Sequence, residues 1–309
     1  MSARSQTGAV RRRLEADRWH FQHGPIDCIV SAEGDGAAVE AALESAWRRF
    51  GTLLAELVAE LPLLRADLSA RGGASAPPLG SVARRMVDAC RPHGCEGRFI
   101  TAMAAVAGSV ADELIASFDD DRIVRASVNN GGDIALRLGP GKSFEVGLCP
   151  DPVRGRLGAP LAGRFSVAAS SPVRGVATSG WRGRSFSLGI ADAVTVLATN
   201  AARADAAATM VANAVDVEDA RIVRIPASEV RDDSDLGERL VTRAVPPLPP
   251  ELVAMALARG AAEARRQIAS GRIVAAVLSL QGRWSVVGDV DVATPPPRSV
   301  PAPAALAAC

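Results

Sequence analysis

Two stretches of the chain combine residue types and spacings that could do chemistry. The first is SVNNGGDIALRLG, residues 127–139, where Asn129, Gly131, Gly132 and Asp133 stand between two apolar, strand-like runs. Asn and Gly tolerate positive φ, so this composition suits a tight hairpin turn. Paired glycines also let a ligand approach the backbone, where bare N–H groups bind anionic oxygens. The residues alone leave both readings open. The second is GVATSG followed by ARADAAATMVANAV. Asp205 and Thr209 lie four apart in a predicted helix and so share a face. A carboxylate, a hydroxyl and a carbonyl suit a hard cation such as Mg²⁺, which keeps waters and borrows substrate phosphates. Such a metal would polarise a diphosphate and stabilise charge during phosphoryl transfer. Equally, Asp205 stands near a helix N-terminus, where a carboxylate interacts favourably with the dipole. Thr178, Ser179 and Gly180 offer donors to a phosphate or a heterocycle edge, and Arg182 and Arg184 add positive charge nearby. Asp192 reads either as a second site carboxylate or as a strand-end residue.

The elements that must position these residues are visible in the periodicity. WHFQHGPIDCIVSA alternates like a hairpin turning at Gly24-Pro25. His20 and His23 within it read as surface or packing residues. Val39, Leu43, Ala46, Trp47 and Phe50 recur at helical spacing, and Pro62 should end or kink that helix. RGGASAPPLG reads as a linker, SVARRMVDAC as a second helix, and ITAMAAVAGSVADELIASF as a buried helix whose small residues permit close backbone approach. The period then changes to strand-like runs: RIVRASV, DIALRL, SFEVGL, GRFSVAA, GVAT and AVTVLA. ARIVRIP is a further strand, ELVAMALARGAAEARRQIASG an amphipathic helix, and RIVAAVLSLQGRWSVVGDV a hairpin around Gln281-Gly282. Helices and hairpins are segregated rather than alternating, which favours an α+β fold over a doubly wound sheet. The reading gives a flexible N-terminus over 1–17, one domain over 18–293, and a disordered Pro/Ala-rich tail over 294–309.

Composition narrows the partners. The net charge is +1, aromatics are 4% and Tyr is absent, so neither a phosphate-binding footprint nor a base-stacking surface is present. Nucleic acid is therefore not expected as a partner. No run reaches the apolar length of a membrane span, and MSARSQTGAVRRRLEADRW has no apolar core behind its basic residues. A cytoplasmic location is expected. The five cysteines, Cys28, Cys90, Cys95, Cys149 and Cys309, are odd in number and irregularly spaced, a poor disulfide framework. CRPHGC, residues 90–95, reads as an ordinary reduced-thiol loop or, lacking a second ligand pair, as a poorly supported metal loop.

The order of motifs carries a resemblance. MAAVAGSVADELI, SVNNGGDIALRLG, GVATSG and ADAAATMVANAV together resemble the ApbE-like proteins, the FAD:protein FMN transferases, over about residues 100 to 215. The matching positions are Ala107-Gly108 with Asp112; Asn129, Gly131, Gly132 and Asp133; Ala177 to Gly180; and Asp205 with Thr209. The resemblance implies a T-fold-like architecture, an antiparallel sheet covered by helices. It also implies FAD or FMN as ligand, held near Asn129, Gly131, Gly132, Asp133, Thr178, Ser179 and Gly180, with Mg²⁺ on Asp205, Thr209 and a backbone carbonyl. The chain departs from the transferase pattern in two places. Ala107 stands where that pattern has Lys, and WRGRSFSLGIADAVTV lacks the His and the Ile-Asp-Pro segment that help hold the flavin nucleotide. GRSFSLGIADAVTVLA is closer to a sister family of ApbE-like proteins without an assigned activity. Two functions follow from the resemblance. One is a flavin- or nucleotide-utilising enzyme, such as an FMN or nucleotidyl transferase with an altered donor pocket. The other is a non-catalytic flavin- or pterin-binding protein, with a link to one-carbon metabolism as one role. A small nucleotide or pterin-like ligand is the expected partner, and self-association is compatible with either.

Overall fold

The computed structural model describes residues 8–14, 17–69, 77–148 and 163–293. Its frame is a nine-stranded antiparallel sheet. The first half is a meander: β1 (Val10–Arg13), β2 (Arg18–His23), β3 (Ile26–Gly34), β4 (Ile123–Asn130) and β5 (Asp133–Leu138). It continues through β8 (Gly175–Ser179), β9 (Ala193–Ala198), β12 (Ala275–Leu280) and β13 (Arg283–Gly288). Two separate hairpins complete the strands: β6 (Ser143–Leu148) with β7 (Gly163–Ala168), and β10 (Val223–Pro226) with β11 (Leu240–Ala244). The expected α+β class, an antiparallel sheet covered by helices, is what the chain adopts.

Period-two patterning decides what each sheet face meets. On β9, Val194, Val196 and Ala198 point toward helices α5 (Ala201–Ala214) and α7 (Pro250–Ala269), while Leu197 joins the opposite core under β6 and β7. On β12, Ala276, Leu278 and Leu280 take the helical side, and Ala275 and Val277 the other. Toward the N-terminal end of the sheet the same helical face is covered by α1 (Gly36–Ala59), α3 (Ser81–Gly94) and α4 (Val106–Ile115). Two short helices remain, α2 (Leu61–Leu64) and α6 (Ala227–Val230).

Most predicted elements are present. Gly24 turns β2 into β3 with φ of 56°, and the α1 stripe buries Ala46 and Phe50. Pro62 does not kink α1; it sits in the first turn of α2, where a missing N–H costs nothing. Three differences have physical causes. Val10–Arg13, inside the stretch expected to be loose, is the edge strand β1, because the Arg11 guanidinium lies over the rings of Trp19 (5.4 Å) and Trp47 (5.5 Å) and pairs with Glu44. Residues 90–95 are not a loop: they form the end of α3 and its cap, with Cys90 and His93 buried and Cys95 exposed. Leu240–Ala244 is a strand that charged neighbours hid from the alternation. Cys149, Cys309 and the tail over 294–309 lie outside the described residues, as do 1–7, 15–16 and most of the linker.

Candidate functional site

The site begins with a close backbone contact between α4 and the start of α5. A Cβ on Gly108 would meet the carbonyl oxygen of Ala201 at 2.3 Å, so only glycine lets α4 approach. Gly175 on β8 is pressed in the same way, its Cβ position lying 2.0 Å from the Asn200 carbonyl carbon. Two groups then satisfy the first three amides of α5. Asn200 is the N-cap and accepts from Arg203 N at 2.8 Å, while Asp112 of α4 accepts from Ala201 N (2.9 Å) and Ala202 N (2.8 Å). Helix α5 is therefore capped by its own loop and by its neighbour.

Asp205 and Thr209 follow on the first turns of α5, both half-buried. Asp205 does not cap its own helix. Its Oδ2 accepts from Gly108 N at 2.9 Å, so the carboxylate reaches outward to the start of α4. Asn200 and Asp112 fill the cap of α5, so the helix-terminus alternative for Asp205 applies to α4, whose first-turn amide at Gly108 it accepts from. Burial raises the Asp205 carboxyl well above the usual carboxylate range, the charge of Asp133 adds to this, and the amides of Gly108 and Ala107 oppose it.

Asp133 arrives from the sheet. Asn130 pairs with Asp133 across β4 and β5, leaving Gly131 (φ 68°) and Gly132 (φ 116°) as the turn, so the hairpin reading of NNGGD holds. The Asp133 Oδ1 accepts from Thr178 N at 3.1 Å, which ties the turn to the end of β8. Burial pushes the Asp133 carboxyl up to about 7, against the Thr178 amide and the Arg184 guanidinium. Two desolvated carboxylates from different elements thus converge beside a glycine turn. Asn130 anchors that corner, its Nδ2 donating to Ala107 O at 3.1 Å.

The other expected ligand groups divide. The Gly132 N–H is spent on Asn129 Oδ1 at 2.8 Å, and Thr178 Oγ1 bonds Thr195 Oγ1 at 2.9 Å. Neither the Gly132 N–H nor the Thr178 N–H is a spare donor. Ser179 is half-buried at the end of β8. Gly180 serves packing, since a Cβ there would meet Asp192 O at 2.5 Å. Asp192 is a clamp, accepting from Arg182 Nε (3.1 Å), Trp181 Nε1 (3.3 Å) and Gln281 N (2.5 Å). Its strand-end reading is the right one. Sequence reasoning missed Asp112 as a helix-capping carboxylate; its position three residues before the end of α4 gave no local sign of the α5 amides it meets.

The fit of a divalent cation can be judged from these groups. Among the described residues no three His, Cys, Asp or Glu side chains cluster around a point. A cation here would rest on Asp205, with Asp133 near enough to be felt electrostatically, and would fill its sphere with Thr209, carbonyls, water and ligand oxygens. That is the sparse protein ligation Mg²⁺ accepts, and two half-buried carboxylates are what it would relieve.

Three kinds of similarity bear on the chain. A family model described as AbpE bacteria matches residues 11–286. A UPF0280 protein of Methanopyrus kandleri is 38% identical over 165 residues, 52% of this chain and 61% of that one. A UPF0280 protein of Methanocaldococcus jannaschii is 39% identical over 113 residues, 36% of this chain and 43% of that one. The chain spans under two thirds of the length of these two relatives, whereas 201 residues at 33% identity span 64% of this chain and 72% of a UPF0280 protein of Methanosarcina acetivorans. Among solved structures, the ApbE protein of Thermotoga maritima superposes with a TM-score of 0.40 at 15% identity, over 92% of this chain and 97% of that one. The flavinyl transferase ApbE of Pseudomonas stutzeri, in its apo form, gives 0.34 at 14% identity, over 93% and 96%.

Proposed function

The chain belongs to the AbpE bacteria family, and from that premise we propose that it binds a flavin or related nucleotide, with Mg²⁺, at the corner where the Gly131-Gly132 turn meets α5. One observation carries this reading: Asp133, tied to Thr178 N–H at the end of β8, and Asp205, tied to Gly108 N–H at the start of α4, are near enough for their charges to interact beside the Gly131-Gly132 turn. Asp205 and Thr209 would hold the cation, which when bound would neutralise diphosphate charge. The residues of the chain do the rest. Gly108 N–H orients the Asp205 carboxylate, Asp112 fixes the start of α5, and Thr178 N–H holds Asp133. Mg²⁺-dependent FMN or nucleotidyl transfer is the activity such a site would support. Ala107, standing where the transferases have Lys, favours binding without transfer as the second reading.

Purified protein should carry a small molecule identifiable by its absorbance and mass as a flavin or adenine nucleotide. Incubation with FAD and Mg²⁺ then separates the two readings. With a hydroxyl-bearing acceptor present, release of AMP with FMN joined to that hydroxyl through a new phosphoester bond supports transfer, release of AMP with free FMN is hydrolysis, and retention of intact FAD supports binding alone. Protein that neither retains nor takes up any flavin or nucleotide overturns both.

A further inference from the structure

The two arginines after the TSG segment have different surroundings. Arg182 is committed: its Nε donates to Asp192 at 3.1 Å and its guanidinium lies 4.9 Å from the centre of the Trp181 ring. Arg184 makes no hydrogen bond or ion pair with any described residue. Yet its guanidinium is not loose in solvent. It lies on Gly131 so closely that a Cβ there would fall 1.7 Å from Nη2. The bare backbone of Gly131 leaves room for the guanidinium in this position, and its φ of 68° is one that glycine favours.

This placement matters because two of the amides beside the turn are already committed. The Gly132 N–H is bonded to Asn129, and the Thr178 N–H to Asp133. An anion drawn to this corner must also tolerate two carboxylates. A planar, always-charged fork with its hydrogen-bond donors open is the group that binds phosphate bidentately in such surroundings. Burial raises the carboxyl of Asp133 and the thiol of Cys28, and the Arg184 charge opposes both, so it acts on the interior of the corner although the residue is exposed.

We propose that Arg184, seated on the Gly131-Gly132 turn, is the residue that binds the phosphate-bearing part of the ligand. The inference rests on the flavin or nucleotide reading of the site and names the group that selects phosphorylated over unphosphorylated ligand. Arg184 lies over the turn; with ligand present its donors would meet phosphate oxygens, which brings a counter-charge to the anion without disturbing Asp133 or Asp205.

FMN and riboflavin, which differ by one phosphate, provide the test. Wild-type protein should bind FMN more tightly than riboflavin by fluorescence quenching in Mg²⁺ buffer. Arg184→Gln should weaken FMN by roughly tenfold, the loss expected for a charge-assisted contact, and leave riboflavin unchanged. Arg184→Lys should recover part of the preference. Arg182→Gln should lower the thermal midpoint and keep the preference. If Arg184→Gln folds, by its circular dichroism spectrum, and still prefers FMN as wild type does, the inference is overturned while the site reading stands. If wild type binds neither flavin, the site reading itself falls, and this inference with it.

Discussion

At the scale of single residues, the account turns on carboxylates whose charge the fold disfavours. Asp133→Asn keeps an acceptor for the Thr178 amide but removes a buried charge. Because folding raises the Asp133 pKa from 3.8 to about 7, the folded state binds its proton more tightly than the unfolded chain does. Wild type therefore loses stability as pH rises through that interval, and the loss is complete above it. Without Mg²⁺, Asp133→Asn should melt several degrees above wild type at pH 8 and at the same temperature near pH 4. Mg²⁺ should raise the melting temperature of wild type more than that of the variant. A variant that melts below wild type at pH 8 would show that the carboxylate is satisfied within the fold. Thr209→Val, which removes one neutral hydroxyl, should weaken Mg²⁺-dependent ligand binding by only about 1 kcal/mol. The residue types of this corner were legible in the sequence. Their commitments were not, because Asn129, Thr178 and Asp192 spend their polar groups on partners that only the fold brings close.

At the scale of elements, the site depends on how near α4 and α5 can come. Gly108→Ala places a methyl against the Ala201 backbone, which cannot rotate away. Overpacking of this kind costs roughly 1 to 3 kcal/mol, and chemical denaturation should show it. Ligand binding should fall as well, because Asp205 takes its orientation from the Gly108 amide. A stable variant with full binding would mean that the two helices separate without consequence. The end of α3 supplies a second prediction. His93 is buried with its Nδ1 unpartnered, and burial lowers its pKa from 6.5 to about 4. Between those values the unfolded chain binds the extra proton and the fold does not, so stability declines as pH falls through the interval, by roughly 3 kcal/mol for this group. Urea unfolding at pH 7 and pH 4 should show a smaller difference for His93→Leu than for wild type. An unchanged difference would place the acid sensitivity elsewhere. The hairpin turns and the long helices were readable because period and turn chemistry are local. Strand β1 was not, since it is held by Trp19, Trp47 and Glu44, which the basic run Arg11–Arg13 does not announce.

At the scale of the whole molecule, one antiparallel sheet brings three distant segments to a single corner: the β4–β5 turn, the end of β8 and the start of α5. The order of motifs along the chain anticipated that assembly, as did the segregation of hairpins from helices. The burial of Asp205 against α4 rather than over its own helix end was not readable, because it depends on Gly108 meeting Ala201. No described helix is long and apolar enough to cross a membrane. The central claim is that Asp205 supports Mg²⁺-dependent nucleotide binding, and calorimetric titration of FAD into wild type and Asp205→Asn, each with and without Mg²⁺, tests it most directly. The account predicts that wild type binds FAD more tightly with Mg²⁺, and that Asp205→Asn loses this gain, by roughly tenfold or more, while remaining folded. Absence of FAD binding by wild type, or equal binding with and without metal in both proteins, would contradict it.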